Sequence, residues 1–285
     1  MKKITDYSKV FSTLVKRTED YICSNNLKCM VLGISGGIDS TVVAAICHEV
    51  SEKTGIPLIG RSLPTKHNKE GETTTADLVG KAFCTNYQEV SIDQTYKTLS
   101  NDLYGYECAL DFDEPQPTAL TNGNIQARLR MIYLYNLASI HKGLVMDTDN
   151  LTENNLGYFT IHGDVGDFNP IGGLWKTEVF KLAEYLIDYY RMTSQINKSI
   201  AMFNSWSLKP TAGLGITDSD LDEIGAESYD QVDRVLQFLT DYTISSDSIK
   251  DIPVEIFNTI IKRCHSSRFK RKQLPIKITR DEILL

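Results

Sequence analysis

The chain has 285 residues, of which 41% are hydrophobic and 24% charged, so it is long and apolar enough to bury a substantial core. Its formal net charge of −7 gives no long-range attraction for the phosphate backbone of DNA or RNA, and we expect no nucleic-acid partner. No stretch approaches the roughly 18 consecutive apolar residues of a membrane span, and the N-terminus lacks the apolar block of a secretory signal. The six cysteines are scattered without a Cys-x-x-Cys motif, so we expect a cytoplasmic protein with reduced thiols and no zinc site.

Strand-like and helix-like patterns alternate along the chain, which is typical of a parallel sheet with helices on both faces. No internal repeat or long linker interrupts this order, so we expect residues 1–285 to form a single domain. In chain order the patterns predict a helix over residues 8–25, a strand over 28–34, a helix over 38–53, a strand over 56–62, a helix over 73–82 and a strand over 87–92.

The middle of the chain is less regular. Residues 100–121 include Pro115 and Pro117 and predict a surface excursion, after which a helix is predicted over 124–141. A buried strand over 143–146 and a helix over 176–191 come next. In the helix over 124–141, the helical spacing predicts one buried face formed by Ile125, Leu129, Ile132, Tyr133, Asn136 and Ile140.

One run of residues between a predicted strand and a predicted helix indicates phosphate binding. Adjacent glycines let backbone N–H groups approach a ligand, and the start of a helix presents its positive end to an anion. The run lacks the lysine of a Walker loop and carries a carboxylate, Asp39, which suits a phosphate site if Mg²⁺ lies between them. The alternative is a glycine turn capped by Ser40 and Asp39. The run consists of Gly33, Ile34, Ser35, Gly36, Gly37, Ile38, Asp39 and Ser40.

A second polar loop follows the predicted strand over 143–146 and contains Asp147, Asn150 and Glu153. Because ligands bind at the carboxyl ends of strands in an open parallel sheet, we expect this loop and the glycine-rich one to meet at one crevice. Glu153 has two interpretations. It completes a helix cap with Asn150, or it shares Mg²⁺ with Asp39.

The order of these motifs resembles that of a known family. The hexapeptide Ser-Gly-Gly-Ile-Asp-Ser, residues 35–40, is similar to the pyrophosphate loop of the N-type ATP pyrophosphatases. The resemblance implies a Rossmann-like α/β fold of the adenine nucleotide alpha hydrolase type. It also implies ATP-dependent amidation of deamido-NAD⁺ to NAD⁺ through an adenylated intermediate, with release of AMP and pyrophosphate. The NAD⁺ synthases have motifs similar, in the same order, to residues 123–131, 148–153, 157–164, 169–176 and 210–212.

The resemblance also assigns roles. It implies ammonia as the nitrogen donor, because the glutaminase domain that many members carry in front is absent from this sequence. It implies that Asp39 and Glu153 hold Mg²⁺, and that Asp39, Lys176 and Asp167 take part in catalysis, Asp167 by binding ammonium or accepting its proton. The implied ATP contacts are residues 33–40, Thr148, Lys176 and Thr211.

The implied site for deamido-NAD⁺ departs from the family's pattern at three positions. Asp147 replaces a common glycine, and this carboxylate either repels phosphate or adds a metal contact. Ile161 replaces a lysine that some members use for deamido-NAD⁺, and Phe269 replaces a histidine. The implied contacts to deamido-NAD⁺ are Arg128, Tyr158, Phe159, Asp167, Phe269 and Lys270.

Two other functions stay open from the sequence. One is a different N-type ATP pyrophosphatase, such as a GMP synthase or a tRNA-thiolating enzyme, although the lack of a cysteine pair and of a basic face disfavours thiolation. The other is a non-catalytic nucleotide-binding regulator, against which the retention of Asp39, Glu153 and Lys176 argues.

The resemblance further implies a two-fold homodimer formed through the helix over 124–141. Apolar residues surround most of the circumference of this helix, so it is either deeply buried or covered by a partner. The alternative is an internal helix covered by residues 100–121.

Overall fold

The computed structural model describes residues 4–66, 68, 70–107, 118–209, 220–241 and 243–271. Within these residues the strands are β1 Met30–Gly33, β2 Leu58–Ser62, β3 Asn86–Glu89 and β4 Leu144–Val145. They form one sheet in the order β3-β2-β1-β4, and every pair is parallel. Met30 pairs with Leu58 on one side and Leu144 on the other, so β1 and β4 are neighbours. The predicted open parallel sheet is confirmed.

The helices predicted over residues 8–25, 38–53, 73–82 and 176–191 and the four predicted strands are all found, with their ends within a few residues of the predicted ones. None of the helices in the described part of the chain is long and apolar enough to cross a membrane. Two 3₁₀ turns lie at Ser246–Ile249 and Arg268–Arg271. The helices are α1 Tyr7–Ser24, α2 Ile38–Thr54, α3 Glu70–Phe83, α4 Asp93–Glu107, α5 Ala119–His141, α6 Leu151–Leu156, α7 Lys176–Met192, α8 Ile196–Ser207, α9 Asp220–Ile224, α10 Tyr229–Thr240 and α11 Val254–Ser266.

The sheet separates two hydrophobic cores. Because side chains alternate along a strand, Met30 and Leu32 of β1 point into one core and Val31 points into the other. The first core is packed by α1, α2, α3, α7 and α8, and the second by α4 and α5, so helices cover both faces. A third cluster, around Trp175 and Val232, is enclosed by α6, α9, α10 and α11.

The prediction of an irregular excursion over residues 100–121 is wrong in part. α4 extends to Glu107 and α5 begins at Ala119, while residues 108–117 lie outside the described part of the chain. α4 turns Tyr96 towards the second core, and Leu99 packs beside it. Polar residues fill most of the remaining positions of α4, so too few apolar residues are left to reveal its period.

The buried face predicted for α5 is also wrong in part, although Ile125 and Tyr133 pack against the second core as predicted. Ile132 and Ile140 are 65% and 63% exposed, whereas Leu134 and Ala138 are buried in the second core. Of the predicted face, Leu129 is buried as expected. Apolar residues occur on nearly every side of α5, so periodicity alone cannot identify the side that packs against the sheet.

Candidate active site

The glycine-rich loop leaves the end of β1 through a turn that only glycine fits. Gly36 has φ +85°, and a Cβ on it would stand 2.4 Å from the backbone oxygen of Glu72 and 2.9 Å from Ala76 N on α3. Gly37 then caps α2, whose first turn carries Asp39. The unpaired N–H groups and positive end of this helix therefore lie at the carboxyl end of β1.

Hydroxyl groups order this loop from inside. Ser40 is buried, and its Oγ donates to the Gly37 carbonyl oxygen at 3.0 Å and lies 3.0 Å from Ser35 Oγ. Ser35 Oγ also accepts from Gly37 N at 3.2 Å. Thr41 Oγ1 donates to the Gly37 carbonyl oxygen at 2.9 Å and lies 2.6 Å from Ser205 Oγ, which fastens the loop to α8. The Ser40 hydroxyl thus makes its hydrogen bonds within the loop, whereas Ser35 is exposed to solvent.

The second polar loop meets the first, as predicted. Asn150 caps α6: its Oδ1 accepts from Glu153 N at 3.0 Å, and Glu153 Oε2 accepts from Asn150 N at 3.1 Å. Asn150 Nδ2 also donates to Asp39 Oδ1 at 2.9 Å. The loop after β1 and the loop after β4 are therefore joined by a direct hydrogen bond between their side chains. The interpretation of Glu153 as part of a helix cap is confirmed.

Lys176 lies between the two carboxylates. Its Nζ donates to Asp39 Oδ2 at 2.5 Å and to Glu153 Oε1 at 2.8 Å, and the residue is 1% exposed. Glu153 uses one oxygen for the helix cap and the other for this ammonium, and its interpretation as a Mg²⁺ ligand stays a prediction. The structure thus brings together three of the predicted site residues, from the starts of α2, α6 and α7.

The charges of the triad formed by Lys176, Asp39 and Glu153 do not balance, because one ammonium faces two carboxylates. Burial favours the neutral amine, but the charges of Asp39 and Glu153 outweigh it and hold the pKa of Lys176 well above its ordinary value. Burial, together with the charge of Asp39, raises the pKa of Glu153 to about 7 even though Lys176 opposes the shift. One ammonium is shared by two carboxylates, and the excess negative charge is buried.

The two carboxylates beside Lys176 have the chemistry of a Mg²⁺ site that a substrate completes. In the described residues no group of three or more His, Cys, Asp or Glu side chains has metal-binding geometry. Mg²⁺ commonly takes one or two carboxylates and completes its octahedron with phosphate oxygens and water. The paired oxygens of Asp39 and Glu153, with their excess negative charge, meet that requirement.

A cavity of about 890 Å³ opens beside the second polar loop. Arg128 and Lys270 contribute positive charge to its wall, and Ile132, Phe159 and Ile161 contribute apolar surface. Arg128 is exposed, and Arg130, two residues later, points elsewhere, its Nε donating to the Leu63 carbonyl oxygen at 3.0 Å. The volume of the cavity and the combination of cationic and apolar side chains in its wall suit a nucleotide.

Two aspartates brace the loop that forms this wall. Asp147 is 5% exposed, and its oxygens accept from Asp149 N at 2.7 Å and Gly166 N at 3.0 Å. Asp167 accepts from Val145 N at 2.9 Å and from the Tyr135 hydroxyl at 3.1 Å. The carboxylate that replaces the family's glycine at 147 therefore holds backbone N–H groups.

The remaining predicted contacts are dispersed. Lys270 Nζ donates to the carbonyl oxygens of Gly157 and Phe159, at 2.8 and 2.7 Å. The Tyr158 ring lies 3.6 Å from the Arg263 guanidinium in the third cluster and does not line the cavity, and Phe269 is 56% exposed outside it. Thr148 is half-buried in the second polar loop, and Thr211 lies outside the described residues.

Comparison with known proteins decides the family. The family model described as NAD synthase matches residues 10–274. The chain belongs to the NAD synthase family. It is 32% identical to the NH₃-dependent NAD⁺ synthetase of Pyrococcus furiosus over 96% of this chain and 97% of that protein, and 34% identical to the one from Thermococcus sibiricus over 95% and 97%. The NMN synthetase of Francisella tularensis has a similar structure, with TM-score 0.76 and 27% identity over 97% of this chain and 99% of that one.

In this member of the NAD synthase family, two further acidic residues, Asp164 and Asp233, lie close to the site residues predicted from the sequence. Burial, together with the charge of Asp147, raises the pKa of Asp164 to about 7, and Asp164 lies within electrostatic range of Arg128 and Lys270. Asp164 is recognisable in the sequence from the motif over residues 163–164. Asp233 carries no such signal, because its partner Thr152 is 81 residues away.

The close approach of the glycine-rich loop to α3 predicts that a side chain at position 36 destabilises the fold. Gly36→Ala should reduce the free energy of unfolding by about 2 to 4 kcal/mol, since it combines a strained φ with a clash against α3. Gly55→Ala is the matched control: Gly55 has φ +71° but open space around it, so the loss should be about 1 kcal/mol. Urea unfolding measures both, and equal losses would contradict the assignment of the close approach.

Proposed function

We propose that this chain catalyses the ATP-dependent amidation of deamido-NAD⁺ with ammonia, giving NAD⁺, AMP and pyrophosphate. The observation that carries the proposal is the contact of Lys176 with Asp39 and Glu153 beside a glycine loop at a helix start, in a chain of the NAD synthase family. The names of the Pyrococcus and Thermococcus relatives support ammonia as the donor. The match over residues 10–274 supports one domain over residues 1–285.

The first step activates the nicotinate carboxylate. One of its oxygens attacks the α-phosphorus of ATP, and the bond between that phosphorus and the oxygen bridging it to the β-phosphate breaks. Pyrophosphate departs, and the acyl adenylate remains. Such a step needs positioning and charge neutralisation more than acid–base help. Residues 33–40 would receive the departing pyrophosphate on backbone N–H groups at the start of α2, and Lys176 would neutralise phosphate charge.

Asp39 and Glu153 would hold Mg²⁺ in this site. When bound, the ion neutralises negative charge on the phosphates of ATP. Asn150 supports this arrangement because its amide donates to Asp39 Oδ1 and so fixes the carboxylate's orientation.

The second step transfers ammonia. The nitrogen attacks the acyl carbon, the bond to the adenylate oxygen breaks, AMP leaves, and one ammonia proton must be accepted. Asp167 is the acceptor that the resemblance implies, and Asp164, whose pKa burial and the charge of Asp147 raise to about 7, is a second carboxylate suited to a base at neutral pH. The Asp167 carboxylate is held by Val145 N and the Tyr135 hydroxyl, and each of its oxygens keeps a lone pair for a further contact.

The proposal is tested by incubating the purified chain with ATP, Mg²⁺ and ammonium, together with either deamido-NAD⁺ or xanthosine monophosphate. We expect NAD⁺ and AMP in equal amounts from deamido-NAD⁺ and no amidated product from xanthosine monophosphate, by chromatography with mass spectrometry. Glutamine should not replace ammonium. Amidation of xanthosine monophosphate, or AMP release without an amidated product, would refute the proposal.

A second acceptor is favoured by the departures from the family's pattern, of which Ile161 lines the cavity. Ile161 and Phe269 replace basic residues of the family's deamido-NAD⁺ site, and the Lys270 ammonium is engaged by two backbone carbonyls. Fewer groups then remain to favour a dinucleotide over nicotinate mononucleotide, and the Francisella neighbour is an NMN synthetase. Nicotinate mononucleotide therefore belongs in the same assay, where a higher kcat/KM than that of deamido-NAD⁺ would establish the second function.

Asp39→Asn should reduce kcat by about 100-fold or more while the chain stays folded. The amide keeps the shape of the carboxylate but removes the charge that faces Lys176 and would hold Mg²⁺. Asp77→Asn, an exposed change on α3 that breaks an ion pair with Lys81, is the control and should leave the rate unchanged. NAD⁺ formation is assayed after circular dichroism confirms folding; a folded Asp39→Asn protein with normal turnover would disprove the role.

We also propose a homodimer that forms through α5. Ile132, Tyr135 and Ile140 lie on its exposed side, and the first two line the cavity, so a partner seated there would cover both apolar surface and substrate. A cytoplasmic location is proposed with it, since the cysteines in the described part of the chain are free thiols.

Light scattering should report about twice the 32.1 kDa chain mass for the wild type. Ile140→Glu should give the single-chain mass and lower activity, because a buried charge in the interface has no partner. Ile196→Glu, which changes an isoleucine of similar exposure on α8, should remain dimeric. A fully active monomeric wild type would contradict the proposed assembly.

A further inference from the structure

α10 contacts the starts of α6 and α7 through a buried carboxylate. Asp233, in the second turn of α10, is 1% exposed. Its Oδ1 accepts from Thr152 Oγ1 of α6 at 2.5 Å, and its Oδ2 accepts from Thr177 N of α7 at 2.9 Å. The reaction steps described above do not use this group, and it does not line the cavity.

Thr152 extends the contact to Lys176. Its Oγ1 donates to Asp233 and accepts from Lys176 N at 2.8 Å. Lys176 and Thr177 are the first two residues of α7, and N–H groups at a helix start have no acceptor within the helix. Asp233 and Thr152 supply both acceptors, and a carboxylate is also favoured by the positive end of α7. They fix the backbone from which the Lys176 side chain extends.

The Asp233 carboxylate also holds the first turns of α6 and α7 in position relative to each other. Thr152 immediately precedes Glu153, so anchoring Thr152 holds the first turn of α6 against the first turn of α7. α10 also touches the far end of the lysine, because the Tyr229 ring lies 5.6 Å from Lys176 Nζ. Tyr229 is four residues before Asp233 and therefore on the same face of α10.

We propose that Asp233 is a positioning residue that sets where the Lys176 ammonium stands relative to Asp39 and Glu153, an inference that rests on the proposed function of this site. Asp233 touches neither ATP nor the acceptor in this role. It acts through Thr152 and the start of α7. A displacement of about 1 Å at a charge that must meet a developing phosphate charge can cost about 100-fold in rate.

Asp233→Asn keeps the size of the side chain but places an NH₂ group opposite one of two donors, so Thr152 or Thr177 loses its acceptor. We expect kcat to fall about 10- to 100-fold, as for other residues that orient a functional group. KM for deamido-NAD⁺ should change less than about twofold, because the cavity residues are untouched. Asp230→Asn is the matched control on the same helix. It removes an exposed carboxylate paired with Arg234 and should keep the wild-type kcat.

A double-mutant cycle with Lys176→Met separates positioning from general support of the fold. If Asp233 acts through Lys176, adding Asp233→Asn to Lys176→Met leaves the single-turnover rate unchanged. A further loss as large as the one in the wild-type background would overturn the proposal.

Variants of Thr152 keep the test valid if Asp233→Asn fails to fold. Thr152→Val removes the bridging hydroxyl and should reproduce the loss of kcat, whereas Thr152→Ser retains the hydroxyl and should retain the rate. Normal turnover by a folded Thr152→Val protein would also overturn the proposal.

Failure of the proposed function is distinguished from failure of the positioning role by the wild-type chain, which would then form no NAD⁺ from deamido-NAD⁺. The same cycle is then measured as ATP affinity by calorimetry. Asp233→Asn should weaken ATP binding in the wild-type background and have no effect in the Lys176→Met background. Equal weakening in both backgrounds would count against Asp233 as a positioning residue.

Discussion

One buried ammonium holds the candidate site together. Lys176 joins Asp39 to Glu153, and each of the three residues comes from the first turn of a different helix. Because a buried charge that loses its partner typically costs about 3–5 kcal/mol, the positions of these helix starts are tightly coupled. The adjacency of β1 and β4 makes the coupling possible, since it places the loops that carry Asp39 and Glu153 side by side.

A lysine at the start of a helix is electrostatically unfavourable, and the surroundings compensate for it at both ends. Asp233 and Thr152 satisfy the N–H groups of the first two residues of α7, while two carboxylates neutralise the side-chain charge. Burial and the charge of Asp39 raise the pKa of Glu153, and two carboxylates around one ammonium suit a site whose proposed occupant is a divalent cation that in turn binds the phosphates of ATP.

The cavity wall is built from contacts to backbone atoms. Asp147 and Asp167 accept from N–H groups in β4, in the loop after it and in the segment between α6 and α7. Lys270 donates to the carbonyl oxygens of Gly157 and Phe159. Arg271 adds to this by donating to the Asn155 carbonyl oxygen at the end of α6, at 2.5 Å. Charged residues that the sequence suggests as substrate ligands therefore also shape the wall, and Arg128 remains as an exposed cation facing the cavity.

The sequence by itself determined the sheet, the helices α1, α2, α3, α5 and α7, the two polar loops and the family, because alternation, glycine turns and helix caps are local patterns and strand ends in a parallel sheet must share one edge. Only the tertiary structure decided which side of α5 is buried, that Glu153 serves both a cap and Lys176, that Asp147 braces a loop, and that Asp233 supports α7. These outcomes depend on contacts between residues as far apart as the 137 positions that separate Asp39 from Lys176. Such contacts are set by how helices pack on the sheet, and no local pattern encodes that packing.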